Sequence, residues 1–218
     1  MLFRSWDGPV LWQSRRLAAY AEALDRLASA GMAYGCVCSR KEIADLATHS
    51  ASDGGLVYPG TCRNGLPEGR SARAWRLRVN NQEISFADRL QGLTDQRLAS
   101  DVGDFVLLRA DGCFAYQLAV AVDDDYQGIS EVVRGADLLA STPRQICLQR
   151  CLGYATPRYA HLPVAVNAAG EKLSKQTRAP ALQVDQAAED LVQALRFLGQ
   201  TAPDDLGRAG VAEVWRWA

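Results

Sequence analysis

The sequence predicts an α/β protein, and three observations carry that expectation. In the second half, short apolar runs alternate with stretches of helical periodicity, the order expected of a parallel sheet crossed by helices. The 218 residues are 48% hydrophobic and 22% charged, enough to bury one core, with room for a small insert. Three of the six cysteines fall at Cys36, Cys38 and Cys62, around a loop-like stretch that has little core of its own.

The elements follow in order. Ser14 reads as an N-cap, and Leu17, Tyr20, Ala21, Leu24, Leu27 and Ala28 recur at helical spacing up to Gly31. Residues 33–37 form a strand candidate, and Ser39-Arg-Lys-Glu42 is a capping box that opens a helix through Leu46. Residues 48–72 are rich in Gly, Ser, Pro and Arg and read as loop. Residues 75–79 and 84–87 alternate as strands. Asp111-Gly112 joins 105–108 to 113–115 as a hairpin. A helix is expected over 116–123, a buried strand over 129–133, and a helix over 136–152 broken near Pro143. A strand over 161–166 leads through an Asn167–Gly170 turn into a lysine-bearing loop, and amphipathic helices follow at 185–198 and 211–217.

The net charge is −1 and the pI about 6.1, so any nucleic-acid contact must come from a local patch rather than a global field. Arg63, Arg70, Arg73, Arg76 and Arg78 form the densest such region, read either as that patch or as a solvated face. No apolar run reaches the length of a membrane span, and the first eight residues lack a signal core. A cytoplasmic protein is therefore expected, in which cysteines serve metals or stay reduced.

Three thiolates need a fourth ligand to close a tetrahedral zinc site. His49 and Tyr58 both lie between them; ligand chemistry alone favours His49, and unligated thiols are the other reading. Cys113, Cys147 and Cys151 read as core packing. Tyr116 and Gln117 are polar handles in an apolar segment, and a buried tyrosine hydroxyl needs either a backbone partner or a substrate. Arg134 stands at the carboxyl end of a strand, where α/β proteins bind ligands; it can clamp a carboxylate or pair with Asp137. Lys172-Leu173-Ser174-Lys175 is either a solvated loop or a phosphate clamp that uses ammonium groups and loop N–H groups.

Tyr116 in Phe-Ala-Tyr-Gln-Leu-Ala, Arg134 in Val-Val-Arg-Gly-Ala-Asp and the Lys172–Gln176 stretch occur in this order. Together they resemble the class I glutamyl-tRNA synthetase catalytic domain, most closely its short paralogues, the glutamyl-Q tRNA(Asp) synthetases. The resemblance runs from about Trp6-Asp7-Gly8 to Trp215 and Trp217. It implies a class I synthetase-type, Rossmann-like parallel sheet over 1–32 and 100–180, N-terminally truncated, because the family's HIGH-type segment has no counterpart here. It further implies a small zinc-binding, acceptor-binding-like insert over 33–99 and a C-terminal helical segment over 181–218. The implied activity is ATP-dependent activation of glutamate and its transfer to the queuosine base of tRNA(Asp). The other readings are a non-catalytic zinc-binding fragment and a piece of an ordinary glutamyl-tRNA synthetase.

By resemblance, Lys172 and Lys175 are catalytic, and Ser174 and Lys175 contact ATP. Tyr116 and Arg134 bind glutamate. Cys36, Cys38, Tyr58 and Cys62 hold zinc, which moves the fourth ligand from His49 to Tyr58. Zn²⁺, ATP and Mg²⁺ are the implied cofactors, with glutamate and queuosine-bearing tRNA(Asp) as partners of a monomer.

Overall fold

The structure, a computed structural model, describes residues 8–47, 49–51, 55–174, 177 and 179–218. The chain divides into two compact units, Leu11–His161 and Leu162–Ala218 with residues 8–10.

In the first unit the capping box forms as expected. The Ser39 N–H donates to Glu42 Oε2 (2.6 Å) and the Glu42 N–H to Ser39 Oγ (3.2 Å), opening α2 (Arg40–Leu46). It follows α1 (Leu17–Ser29) and β1 (Ala33–Cys36). β2 (Ala74–Leu77) lies between β1 and β5 (Val106–Leu108) in an antiparallel three-stranded sheet. The second sheet has the order β4-β3-β7-β6: β4 (Gly92–Arg97), β3 (Glu83–Asp88), β7 (Arg158–Leu162) and β6 (Glu131–Gly135). β3 pairs antiparallel with β4 and parallel with β7, where Asp88 stands opposite Tyr159. A short α3 (Leu98–Asp101), α4 (Tyr116–Tyr126) and α5 (Thr142–Leu152) complete this unit.

The core gathers the apolar stripes of these elements. Tyr20, Leu24 and Leu27 of α1, Leu118 and Val122 of α4 and Ile146 and Leu148 of α5 are buried with Leu77 and Leu107 of the sheet. Each such side chain contributes roughly 1.5–3 kcal/mol through removal from water. A polar clamp crosses this core. Asp123 accepts from Arg16 Nε (2.7 Å), Tyr20 Oη (2.7 Å) and Gln13 Nε2 (3.3 Å), tying α4 to the start of α1. Burial and the bond to Asp123 push the Tyr20 phenol up to about 12. Asp123→Ala strands the Tyr20 hydroxyl and the Arg16 guanidinium together, and removing one partner of such a pair costs about 3 kcal/mol. Thermal unfolding of the variant is expected to show a midpoint about 6–12 °C lower; an unchanged midpoint would contradict the clamp.

The second unit contains α6 (Ala187–Phe197) and α7 (Val211–Trp217), packed through Val192, Ala202, Leu206 and Val214.

Four sequence expectations need correction. Ser14 does not cap α1: residues Gln13–Arg15 make a 3₁₀ turn and the helix starts at Leu17, which brings Gln13 and Arg16 onto Asp123. The strand expected over 161–166 is Arg158–Leu162; Pro163 has no N–H to continue a ladder, while the Arg158 N–H already bonds Ser130. The strand expected over 129–133 begins at Glu131, because the Ile129 N–H closes the end of α4 on Asp124 O (2.9 Å). Cys113 is exposed beside its hairpin turn rather than packed inside, whereas Cys147 and Cys151 are half-buried against the core. β4 gave no sequence signal: only Gln96 in it is buried, so no alternation marks it.

Candidate active site and metal centre

Arg134 sits near the end of β6, half-buried, and its guanidinium is held on two sides. Nε donates to His161 Nε2 (3.0 Å), and Nη2 donates to Thr142 Oγ1 (2.9 Å) and Gln145 Oε1 (2.8 Å). The relay continues through α5 into α4. Gln145 Nε2 donates to Gln117 Oε1 (3.0 Å), and Gln117 Nε2 donates to Ser141 Oγ (3.1 Å). Tyr116, the residue before Gln117, opens α4 and is 47% exposed. The relay from Arg134 thus ends on Gln117 and Ser141, and Tyr116 is the chain neighbour of Gln117 rather than a member of it. The Tyr159 ring closes the other side of Arg134, with its centroid 5.6 Å from Cζ.

Behind Arg134 lies a pair that sequence reasoning missed. His161 Nδ1 is 2.6 Å from Asp88 Oδ2, and both side chains are fully buried. Asp88 also accepts the N–H groups of Leu90, Gln91 and His161. Burial alone would raise its carboxyl, but the bonds from His161, Gln91 and Leu90 outweigh that and hold it well below the usual carboxylate range. Asp88 and His161 are 73 residues apart in sequence, so only the β3–β7 pairing brings them together.

Tyr116 lines a cavity of about 640 Å³ with Cys38, Arg40, Arg73, Arg76 and Arg109. Arg40, Arg73 and Arg109 are exposed at its rim. The arginine-rich stretch therefore splits in two. Arg70 and Arg73 face solvent, while Arg76 is buried, donating to Asp104 O (2.8 Å) with Cζ 3.8 Å over the Tyr58 ring. Arg63 pairs with Asp104 (3.5 Å), and Arg78 donates to Arg63 O (2.5 Å). These three serve the fold.

In the other unit, Lys172 is exposed and bridges antiparallel to Val166, closing the Asn167–Gly170 turn. The Ser174 N–H donates to Thr177 Oγ1 (2.9 Å), and Thr177 Oγ1 donates back to Lys172 O (2.9 Å). Lys175 lies outside the described residues.

Cys36, Cys38 and Cys62 converge, with every pair of Sγ atoms within 4.8 Å. Cys38 and Cys62 are 3.6 Å apart, and Tyr58 Oη lies 3.4 Å from both Cys36 Sγ and Cys38 Sγ. A tetrahedral zinc with ordinary bond lengths needs sulfur–sulfur edges of about 3.8 Å and oxygen–sulfur edges of about 3.5 Å. The four donors fit it. Tyr58 is buried and its oxygen also accepts the Cys62 N–H (2.9 Å). Gly103 is what lets Tyr58 sit there: its φ is +72°, and a Cβ would stand 2.9 Å from the Tyr58 nitrogen. His49 is exposed, with Nε2 3.0 Å from the Ser100 carbonyl, and it is not part of the cluster. Of the two candidates that ligand chemistry left, Tyr58 lies against the sulfurs and His49 does not.

Among the described residues, no helix is long and apolar enough to cross a membrane.

The chain resembles known proteins over nearly its whole length. The family model of class I tRNA synthetases (E and Q), catalytic domain, matches residues 1–206. The chain is 73% identical to the glutamyl-Q tRNA(Asp) synthetase of Dechloromonas aromatica over 213 residues, covering 98% of this chain and 71% of that one. It is 59% identical to the enzyme of the same name from Aromatoleum aromaticum, covering 98% and 67%. Among solved structures, a glutamate tRNA ligase from Elizabethkingia meningosepticum, in complex with its amino acid, superposes with a TM-score of 0.62 at 24% identity, over 78% of this chain and 37% of that one. That likeness is one of fold, and the chain spans little more than a third of that enzyme. The family match over nearly the whole chain and the identity to named relatives place it plainly: it belongs to the class I tRNA synthetases (E and Q), among the glutamyl-Q tRNA(Asp) synthetases.

Proposed function

We propose that the protein activates glutamate with ATP and esterifies the queuosine base of tRNA(Asp) with it. The observation that carries this reading is the 73% identity to a glutamyl-Q tRNA(Asp) synthetase across 98% of the chain. The held guanidinium of Arg134 supports it, since the site offers a fixed positive charge to an amino acid carboxylate.

In this reading glutamate's carboxylate attacks the α-phosphate of ATP and pyrophosphate leaves. Arg134 takes a carboxylate of the substrate and Tyr116 hydrogen-bonds it. Lys172 and Lys175 neutralise charge on the phosphates, with Ser174 beside them. Catalysis rests on positioning and charge stabilisation rather than on a covalent group of the protein. Mg²⁺ when bound shares the phosphate charge. Cys36, Cys38, Tyr58 and Cys62 would hold a structural zinc that orders the insert over 33–99. The exposed Arg40 and Arg73 at the cavity rim, with Arg70 nearby in sequence, supply local positive charge for RNA phosphates, which a chain of net charge −1 otherwise lacks; Arg109 is paired with Asp111. A tRNA ligase of this kind acts in the cytoplasm, as a monomer in this reading.

The test measures glutamate-dependent ATP–pyrophosphate exchange, then transfer of labelled glutamate. Exchange with glutamate and transfer to queuosine-bearing tRNA(Asp), with none to tRNA(Glu) or to tRNA(Asp) lacking queuosine, is the expected result. Charging of tRNA(Glu) would make the protein part of an ordinary glutamyl-tRNA synthetase. Absence of exchange would leave a zinc-binding fragment without catalysis.

A further inference from the structure

A guanidinium has N–H groups on three nitrogens, and at Arg134 two of those nitrogens are already engaged within the protein. Nε is bonded to His161, and Nη2 to Thr142 and Gln145. Nη1 makes none of these bonds. For His161 Nε2 to accept from an Arg134 N–H, the imidazole must be neutral and carry its proton on Nδ1. The 2.6 Å contact to Asp88 Oδ2 supplies the acceptor for that proton. Asp88 is in turn fixed by three backbone N–H groups at the end of β3.

A buried histidine–carboxylate pair at 0% exposure is an expensive way to fill a core. An apolar side chain at position 161 would stack on Tyr159 as readily as the imidazole does, with its centroid 6.0 Å away. What such a side chain could not do is accept from Arg134.

We propose that Asp88 and His161 are a positioning dyad for Arg134. Asp88 selects the His161 tautomer, His161 fixes the plane of the guanidinium, and Nη1 is left as the donor that faces the substrate carboxylate. This rests on the reading of Arg134 as a glutamate-binding residue. The dyad touches no reacting atom; it acts through Arg134 from two paired strands, the rigid support such a contact needs.

The chain has two histidines, His49 and His161, so their ¹⁵N spectra can be assigned with one variant, His49→Gln. The expected spectrum of the unmodified protein shows His161 protonated on Nδ1; a proton on Nε2 overturns the proposal outright. Asp88→Asn keeps an oxygen for the backbone N–H groups but can donate to Nδ1, moving the ring proton to Nε2 against the Arg134 N–H. That variant is expected to raise the KM and Kd for glutamate about 10–100-fold, the usual cost of losing an outer-shell partner, with the KM for ATP unchanged. His161→Phe should weaken glutamate similarly in a protein that still folds, with a lower unfolding temperature because Asp88 loses its ring partner, and His161→Gln, which retains an acceptor, should recover part of the loss in affinity. Wild-type glutamate affinity in Asp88→Asn and His161→Phe, alongside weakened binding in Arg134→Lys, would sink the dyad and keep the site. Undiminished binding in Arg134→Lys, or no glutamate binding by the unmodified protein, would sink the site reading itself and the dyad with it.

Discussion

Arg134→Ala is expected to lower kcat/KM for glutamate in pyrophosphate exchange by about 10³-fold or more, leaving ATP binding intact. Two losses combine. The substrate carboxylate loses a charge-assisted hydrogen bond worth about 1.5–3 kcal/mol. It is also left in a half-buried site without its counter-charge, and truncating one member of such a pair costs about 2–5 kcal/mol. Their effects overlap, so about 4 kcal/mol in all is the reasonable expectation, or roughly a thousandfold. The fold suffers less. His161 Nε2, Thr142 Oγ1 and Gln145 Oε1 lose a shared donor, but the vacated space can admit water that satisfies them. Calorimetric titration of glutamate and of ATP, run separately on Arg134→Ala with its melting curve, checks this. A folded variant whose glutamate Kd lies within about twofold of wild type would remove Arg134 from the site.

Much of this architecture can be read directly from residue patterns, and the exceptions share a cause. Helix α2 is legible because the capping box is local: Ser39 and Glu42 stand three residues apart and each bonds the other's backbone. The same holds for the Asp111-Gly112 turn, where the Gly112 φ is +82°. Arg134 is legible as a residue at a strand end. Its supports are not, since His161 lies 27 positions from Arg134 and Asp88 lies 73 positions from His161. His161 reads from sequence only as the first residue of an apolar run, and Asp88 as the end of one. The arginine stretch misleads for the opposite reason. Composition shows five positive charges between 63 and 78 but cannot show that Asp104, buried at 4% exposure, engages Arg63 and Arg76 from inside. The place of Tyr58 beside the cysteine cluster depends on a backbone feature distant in sequence, the open glycine at 103 that admits it.

The cysteine cluster carries the second large effect. The protein is expected to purify with one zinc per chain, and Cys62→Ala is expected to lose it and to release the loop it orders. The physical ground is how little else holds that loop. Its own buried cluster consists of Cys36, Val37, Tyr58 and Cys62, so three of the four residues that would form a core are themselves the proposed ligands. Structural zinc contributes about 10–16 kcal/mol in isolated finger peptides. Here the gain falls on one segment of a larger unit, so its loss shows as local unfolding rather than collapse of the fold. The release should spread along one path: Tyr58 leaves its place against Gly103, Arg76 loses the ring beneath it, and the cavity lined by Cys38, Arg40, Arg73 and Arg76 loses a wall. Transfer of glutamate to RNA should therefore fall further than its activation. Elemental analysis of the purified protein, proteolysis of residues 39–73 with and without chelator, and the ratio of transfer to exchange read these steps in turn. Tyr58→Phe keeps the three thiolates and the ring stack but removes the oxygen, so zinc affinity should drop while Arg76 stays in place. His49→Ala should leave zinc untouched, because its imidazole stands at the Ser100 carbonyl rather than among the sulfurs. The reverse outcome, zinc lost in His49→Ala and kept in Tyr58→Phe, would restore the imidazole as ligand and make the 3.4 Å contacts of Tyr58 a packing arrangement alone.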